Sequence, residues 1–183
     1  MQVRLDKRAR IIADGGQAYP VDLLRDHTLV QVRQKYTDDT GELTLAPGEE
    51  TTDEVTVGGR VVFVRNTGKL CFASLQDGFT ETSNGERLQI MLSKAEVGDE
   101  SLAAWKSDVD LGDHVWVRGR VVVSRRGELS IMAAEWRLAS KALRPLPTLH
   151  KELSEETRVR RRYADLVVRE ESRQMVRTRA LIT

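Results

Sequence analysis

A mainly β fold, one small five-stranded barrel with helices on both flanks, is predicted by three observations. Five segments dense in Val, Ile, Leu and aromatic residues lie at 55–65, 69–77, 87–93, 114–123 and 129–139. Turn signals such as Asn66-Thr67-Gly68 and Arg126-Gly127 separate them. Between the third and fourth segments, 99–107 reads as a short helix that Asp99 caps and that turns Leu102 and Trp105 to one side. Five strands with a helix between the third and fourth is the order of an OB-fold. That fold is a Greek-key barrel whose second and third strands commonly bind oligonucleotides or sugars.

The elements follow in chain order. Over 1–14, Leu5, Ala9 and Ile12 share one helical stripe and Arg4, Lys7 and Arg8 another, and Gly15-Gly16 supplies the stop. Tyr19-Pro20 marks an extended crossing. Thr28 followed by Gln31 is a capping-box signature, which predicts a second helix from Leu29 to about Tyr36. The acidic stretch 37–53, rich in Thr, Gly and Pro, reads as a surface connection into the strands. After Ala139, Arg144-Pro145-Leu146-Pro147 cannot continue a strand ladder, and the residues beyond Glu152 are helical and arginine-rich. The expected organisation is therefore 1–53 helices and connection, 54–140 barrel, 141–153 hinge, and 154–183 the start of a further unit that the chain does not complete.

Composition narrows the function classes. The 183 residues, 40% of them hydrophobic, are enough for one core with appendages. Basic and acidic residues nearly cancel, 29 against 28, so any nucleic-acid footprint must be local. The single cysteine, Cys71, cannot form an internal disulfide and has no neighbouring zinc ligands, which fits a small buried hydrophobe in a reducing, cytoplasmic setting and no metal site. No apolar run approaches the roughly 18 residues needed to span a bilayer, and no membrane contact is expected of this chain itself.

Strand alternation sorts the candidate ligand face. In the second strand Cys71, Ala73 and Leu75 suit the interior, which leaves Leu70, Phe72, Ser74 and Gln76 outside. In the third, Leu88, Ile90 and Leu92 point in, while Arg87, Gln89 and Met91 point out. An exposed ring on a polar sheet face is what a stacked base needs. A lone strand Phe more often packs beneath a loop, and Gln89 and Arg65 taken singly are ordinary surface polarity; their convergence on one face favours a site.

The run Gly68-Lys69-Leu70-Cys71-Phe72-Ala73-Ser74-Leu75-Gln76-Asp77 resembles the second barrel strand of class II aminoacyl-tRNA synthetases of the lysine, aspartate and asparagine group. Four further stretches resemble the lysyl-tRNA synthetases in particular. They are Tyr19-Pro20 with His27-Thr28, Arg126-Gly127-Glu128-Leu129-Ser130, Lys141 through Pro147, and Arg158, Arg160, Arg162-Tyr163 with Asp165-Leu166.

The resemblance covers nearly the whole chain and implies recognition of a U-rich lysine anticodon. It matches Phe72 to the ring that stacks on an anticodon base, and Arg65, Gln89 and Glu128 to polar readers around it. Uracil offers one N–H donor between two carbonyl acceptors, so a carboxylate suits the first and an amide or guanidinium the others. Without the resemblance, Glu128 reads as a hairpin carboxylate paired with Arg125 or Arg126. Arg4, Lys7 and Arg8 could meet anticodon-stem phosphates or simply face solvent. Arg158, Arg160 and Arg162 read as structural.

In that family ATP and Mg²⁺ act in a catalytic domain whose second and third signature motifs do not occur before Thr183, and the enzyme is a homodimer. Binding of the lysine tRNA anticodon stem-loop, with no catalysis and no cofactor of its own, is thus expected of this chain. The segment 78–86 is longer than the family's usual tight turn. This and the abrupt start point to a second possible parent, the bifunctional relative that also makes lysylphosphatidylglycerol, which would place the chain at the cytoplasmic face of a membrane. The alternatives are a general single-strand-binding barrel and a structural or dimerisation module.

Overall fold

The computed structural model describes residues 1–78, 86–147 and 153–182. The chain divides into two compact units, 1–144 and 145–183. In the first, helices α1 (Gln2–Ala13) and α2 (Leu29–Lys35) precede strands β1 (Glu50–Thr67), β2 (Leu70–Gln76) and β3 (Arg87–Ser93). Helices α3 (Lys94–Val97) and α4 (Asp99–Asp108) then lead to β4 (His114–Val123) and β5 (Leu129–Ser140). The strands close into a barrel in the order β1-β2-β3-β5-β4, antiparallel throughout except for the β3–β5 pair. The five-strand order and the helical insertion are those of the OB-fold expected from the sequence.

Closure depends on β1, which is long enough to pair with β4 through its first half and with β2 through its second. It starts at Glu50, five residues before the expected 55, because Glu50 pairs with Val122 and the Thr51 hydroxyl donates to the Val121 carbonyl at 2.8 Å. Tight strand approach sets a demand at Gly119: a Cβ there would lie 2.0 Å from the Met132 carbonyl oxygen.

Inside, the parity expected for β2 and β3 holds: Cys71, Ala73, Leu75, Leu88, Ile90 and Leu92 are buried. Burial also pushes the Cys71 thiol up, so it packs as a neutral hydrophobe. α4 brings Leu102 and Trp105 into the same core, and Trp105 meets Trp136 edge-on at 5.1 Å. Asp99 does not cap this helix. Gly98, at φ 83°, occupies the cap position, and the Asp99 carboxylate instead pairs with Lys94 at 2.6 Å.

The N-terminal helices pack with the barrel. α2 carries the predicted capping box, with Gln31 N donating to Thr28 Oγ1 at 3.1 Å and Thr28 N donating to Gln31 Oε1 at 2.8 Å. α1 departs from the apolar stripe expected for it: Ile12 is half exposed and Ala9 exposed, whereas Ile11 packs on the core and Arg4, Lys7 and Arg8 are part-buried. Long basic stems reach inward because polar acceptors wait there.

The second unit carries α5 (Glu155–Arg160), α6 (Arg162–Val168) and α7 (Glu170–Ile182). At its centre the buried Asp165 carboxylate accepts from Ser172 Oγ at 2.6 Å, Arg162 Nη1 at 3.0 Å and Arg169 Nη1 at 3.4 Å. Burial alone would raise its pKa; these donors outweigh it and hold the group below the usual carboxylate range. Most of the long segment between β2 and β3, 79–85, lies outside the described residues, as do 148–152 of the expected hinge.

Candidate nucleic-acid interface

A bulge in β1 organises the outer face. Val61 pairs with Leu75 and Phe63 with Ser74, so Val62 is the extra residue, and Val61 and Val62 are both buried. Beyond the bulge the parity of β1 is reversed, and Phe63 and Arg65 point outward. Register then lays two rows across the sheet. One runs Phe63–Ser74–Gln89–Ser130 and the other Arg65–Phe72–Met91–Met132. Paired residues share a face, so these eight side chains belong to one surface.

Three of the four expected anticodon residues meet in these rows. The Arg65 guanidinium lies 4.8 Å from the Phe72 ring centroid, a cation–π contact between directly paired residues. Gln89 Nε2 donates to Ser130 Oγ at 2.8 Å, and Ser130 Oγ donates to the Glu128 carbonyl at 2.9 Å, which fixes the amide against the sheet. The Gln89 amide has a second N–H to offer.

Glu128 stands at the edge of this face, immediately before β5, with its side chain about half exposed. Its partner is neither Arg125 nor Arg126. Arg33 of α2 approaches it at 3.7 Å, while also pairing with Glu86 at 2.7 Å and donating to the Arg87 carbonyl at 2.7 Å. Helix α2 thus fixes the rim of the face through Arg33, a residue that no motif in the sequence singles out. Phe63 was missed too. Strict alternation from Val61 would turn it inward, and only the uninterrupted apolar run Val61-Val62-Phe63-Val64 hints at the bulge.

Arg4, Lys7 and Arg8 are not brought to this face. Arg4 donates to the carbonyls of Ala142 at 3.0 Å, Arg144 at 3.3 Å and Leu111 at 2.8 Å, and Lys7 pairs with Asp110 at 2.8 Å. Arg8 stacks over the Tyr19 ring at 5.7 Å. Near the face, by contrast, Arg87, Arg125 and Arg126 are exposed and have no ion pair among the described residues. The local cationic footprint therefore lies at the start of β3 and in the β4–β5 turn.

Comparison with known proteins agrees with this geometry. Residues 55–139 match the tRNA-anticodon family model, described as an OB-fold nucleic acid binding domain. The chain is 59% identical over 180 residues to a lysine–tRNA ligase of Kineococcus radiotolerans, which covers 98% of the chain and 34% of the ligase. It is 55% identical over 181 residues to the lysine–tRNA ligase of Mycolicibacterium gilvum, again across 34% of that protein. It is also 36% identical, along its whole length, to 15% of the lysylphosphatidylglycerol biosynthesis bifunctional protein of Rhodococcus jostii. The chain thus spans about a third of the length of the lysine–tRNA ligases it matches. The chain is thus similar over 55–139 to the tRNA-anticodon family of OB-fold nucleic acid binding domains, and along nearly all its length to part of the lysine–tRNA ligases.

Proposed function

We propose that the face built on β1, β2, β3 and the start of β5 binds the U-rich anticodon of lysine tRNA. The observation that carries this reading is the pairing of Phe72 with Arg65 on the outer face, with Gln89 in the adjoining row and Glu128 at the rim. Phe72 supplies the stacking surface. Arg65 covers the ring in the free protein, at a gain of about 0.5–1 kcal/mol for an exposed cation–π contact. A base stack, about 1–3 kcal/mol, displaces it. The freed guanidinium then donates to a uracil carbonyl or a phosphate.

The second Gln89 N–H suits another carbonyl. Glu128 Oε accepts from the uracil N3–H, which requires it to exchange its long 3.7 Å pairing with Arg33. Each exchange is cheap because Arg65 and Glu128 are themselves exposed, so the contacts they give up are screened by solvent. Stem-phosphate contacts by Arg4, Lys7 and Arg8 would have to displace internal partners, so the barrel face carries the reading.

In this reading the chain holds the anticodon while a class II catalytic domain, of which 154–183 is the beginning, joins lysine to the acceptor end using ATP and Mg²⁺. Among the described residues no group of three or more His, Cys, Asp or Glu is placed to hold a metal. Exposed Met175, Val176, Leu181 and Ile182 on α7 support the homodimer expected of the whole enzyme. Cytoplasmic lysyl-tRNA formation is favoured over lysine supply to phosphatidylglycerol at a membrane face, since the ligase relatives are the more similar, at 55–59% against 36%. Among the described residues no helix is long and apolar enough to cross a membrane.

The test is a fluorescence titration of the chain with a lysine anticodon stem-loop and with one whose anticodon uridines are replaced by cytidines. The U-rich loop is expected to bind more tightly, and Phe72→Ala to weaken it by about 1–3 kcal/mol. Equal affinity for the two loops would point instead to a general single-strand-binding barrel.

A further inference from the structure

We infer that Phe63 is a second stacking residue, taking the nucleotide next to the one on Phe72; the inference rests on the anticodon reading above. An exposed apolar side chain on its own needs no explanation. Two further facts single this one out. The bulge at Val62 reverses the strand's parity just before it, and bulges are used to re-aim side chains. Without the bulge, Phe63 would share the inward face with Val61, yet the residue is 53% exposed.

The position is also right for a base. Phe63 pairs directly with Ser74, whose small side chain leaves the ring uncovered, and lies diagonal to Phe72, two residues along β2. Diagonal cross-strand neighbours stand about 7–8 Å apart, a separation that an unstacked dinucleotide spans. The two rings therefore serve consecutive bases, while Arg65, two residues beyond Phe63 on β1, lies beside the phosphate that links them. In the row of Phe63, the Gln89 amide offers an edge contact to the second base. Stacking reads the flat face of a base rather than its identity, so Phe63 contributes affinity and loop shape, and the polar residues supply discrimination.

The experiment titrates the 183-residue chain, wild type and carrying Phe63→Ala, Phe63→Trp or Phe72→Ala. Each is measured against the lysine anticodon stem-loop and against versions with one abasic nucleotide at each loop position. Phe63→Ala is expected to raise Kd about fivefold or more, and Phe63→Trp to restore wild-type binding. For one abasic loop, wild type and Phe63→Ala should bind equally. The nucleotide missing from that loop should neighbour the one whose removal cancels the effect of Phe72→Ala.

If Phe72→Ala weakens binding and Phe63→Ala does not, this inference is overturned and the anticodon reading stands. A Phe63→Ala loss that is the same on every abasic loop overturns it as well, because the ring then acts through the fold. If Phe72→Ala binds as wild type does, the anticodon reading fails and this inference fails with it.

Discussion

Lys141 is the charged residue most firmly committed to the fold. Its side chain is fully buried, and its three N–H donors go to the Asp108 carbonyl at 2.7 Å, Asp110 Oδ2 at 2.6 Å and Asp113 Oδ2 at 2.6 Å. Asp113, also fully buried, accepts in addition from the backbone N–H groups of Asp110 and Ala142, each at 2.8 Å. Removing one partner of such a pair leaves an uncompensated buried charge. Lys141→Ala is therefore expected to cost about 3–5 kcal/mol, read as a lowered midpoint in urea unfolding. A Lys141→Met, Asp113→Asn double variant should recover much of that loss, and a double-mutant cycle would show the coupling.

A second residue-scale prediction concerns His114, whose ring burial and the nearby Arg60 charge push its pKa below the ordinary 6.5. Between the folded value and 6.5 the unfolded chain binds more protons, so its contribution to stability is complete above pH 6.5 and is lost as pH falls. The thermal midpoint of wild type should drop more steeply below pH 6.5 than that of His114→Gln, and parallel curves would remove this assignment.

Among the elements, α2 links fold and site. Its capping box fixes where the helix begins, Leu29 and Val32 anchor it in the core, and Arg33 extends from it to Glu86, the Arg87 carbonyl and Glu128. Thr28→Ala should cost about 1 kcal/mol of stability, the usual loss of a side-chain cap. It should also weaken anticodon stem-loop binding modestly, since the rim residues lose their fixed support. Unfolding and titration on the same sample separate the two effects.

This helix was legible in the sequence because capping is a local, four-residue code. The faces of β2 and β3 were legible for a similar reason: both strands are short, regular and half-buried, so period-two alternation suffices. β1 was not. Its first residues pair with β4 through polar side chains that carry no strand signal, and its bulge reverses parity midway, so Arg65 reaches the face only by virtue of Val62. Tertiary partners were illegible as well. Nothing in the α1 pattern foretells that Arg4 will find three carbonyls brought together from 111, 142 and 144.

For the molecule as a whole, a net charge of +1 means that long-range attraction contributes little to RNA binding, and the distribution of partners sharpens that point. Arg4, Lys7, Arg10, Arg118, Arg120 and Lys141 are bonded to acidic side chains or carbonyls within the fold. Among the described residues, the cations left for phosphates near the face are Arg87, Arg125 and Arg126, with Arg65 once a base displaces it. Each phosphate neutralised on a single strand contributes about 0.7 to the slope of log affinity against log salt. With four such cations the slope should stay no steeper than about −3. Arg87→Ala, Arg125→Ala and Arg126→Ala should each lower its magnitude, whereas Arg10→Ala, whose charge is already paired with Asp108, should leave it unchanged. A slope near −5 in the wild-type chain would require the α1 cations to leave their internal partners and join the interface, returning Arg4, Lys7 and Arg8 to the tRNA backbone.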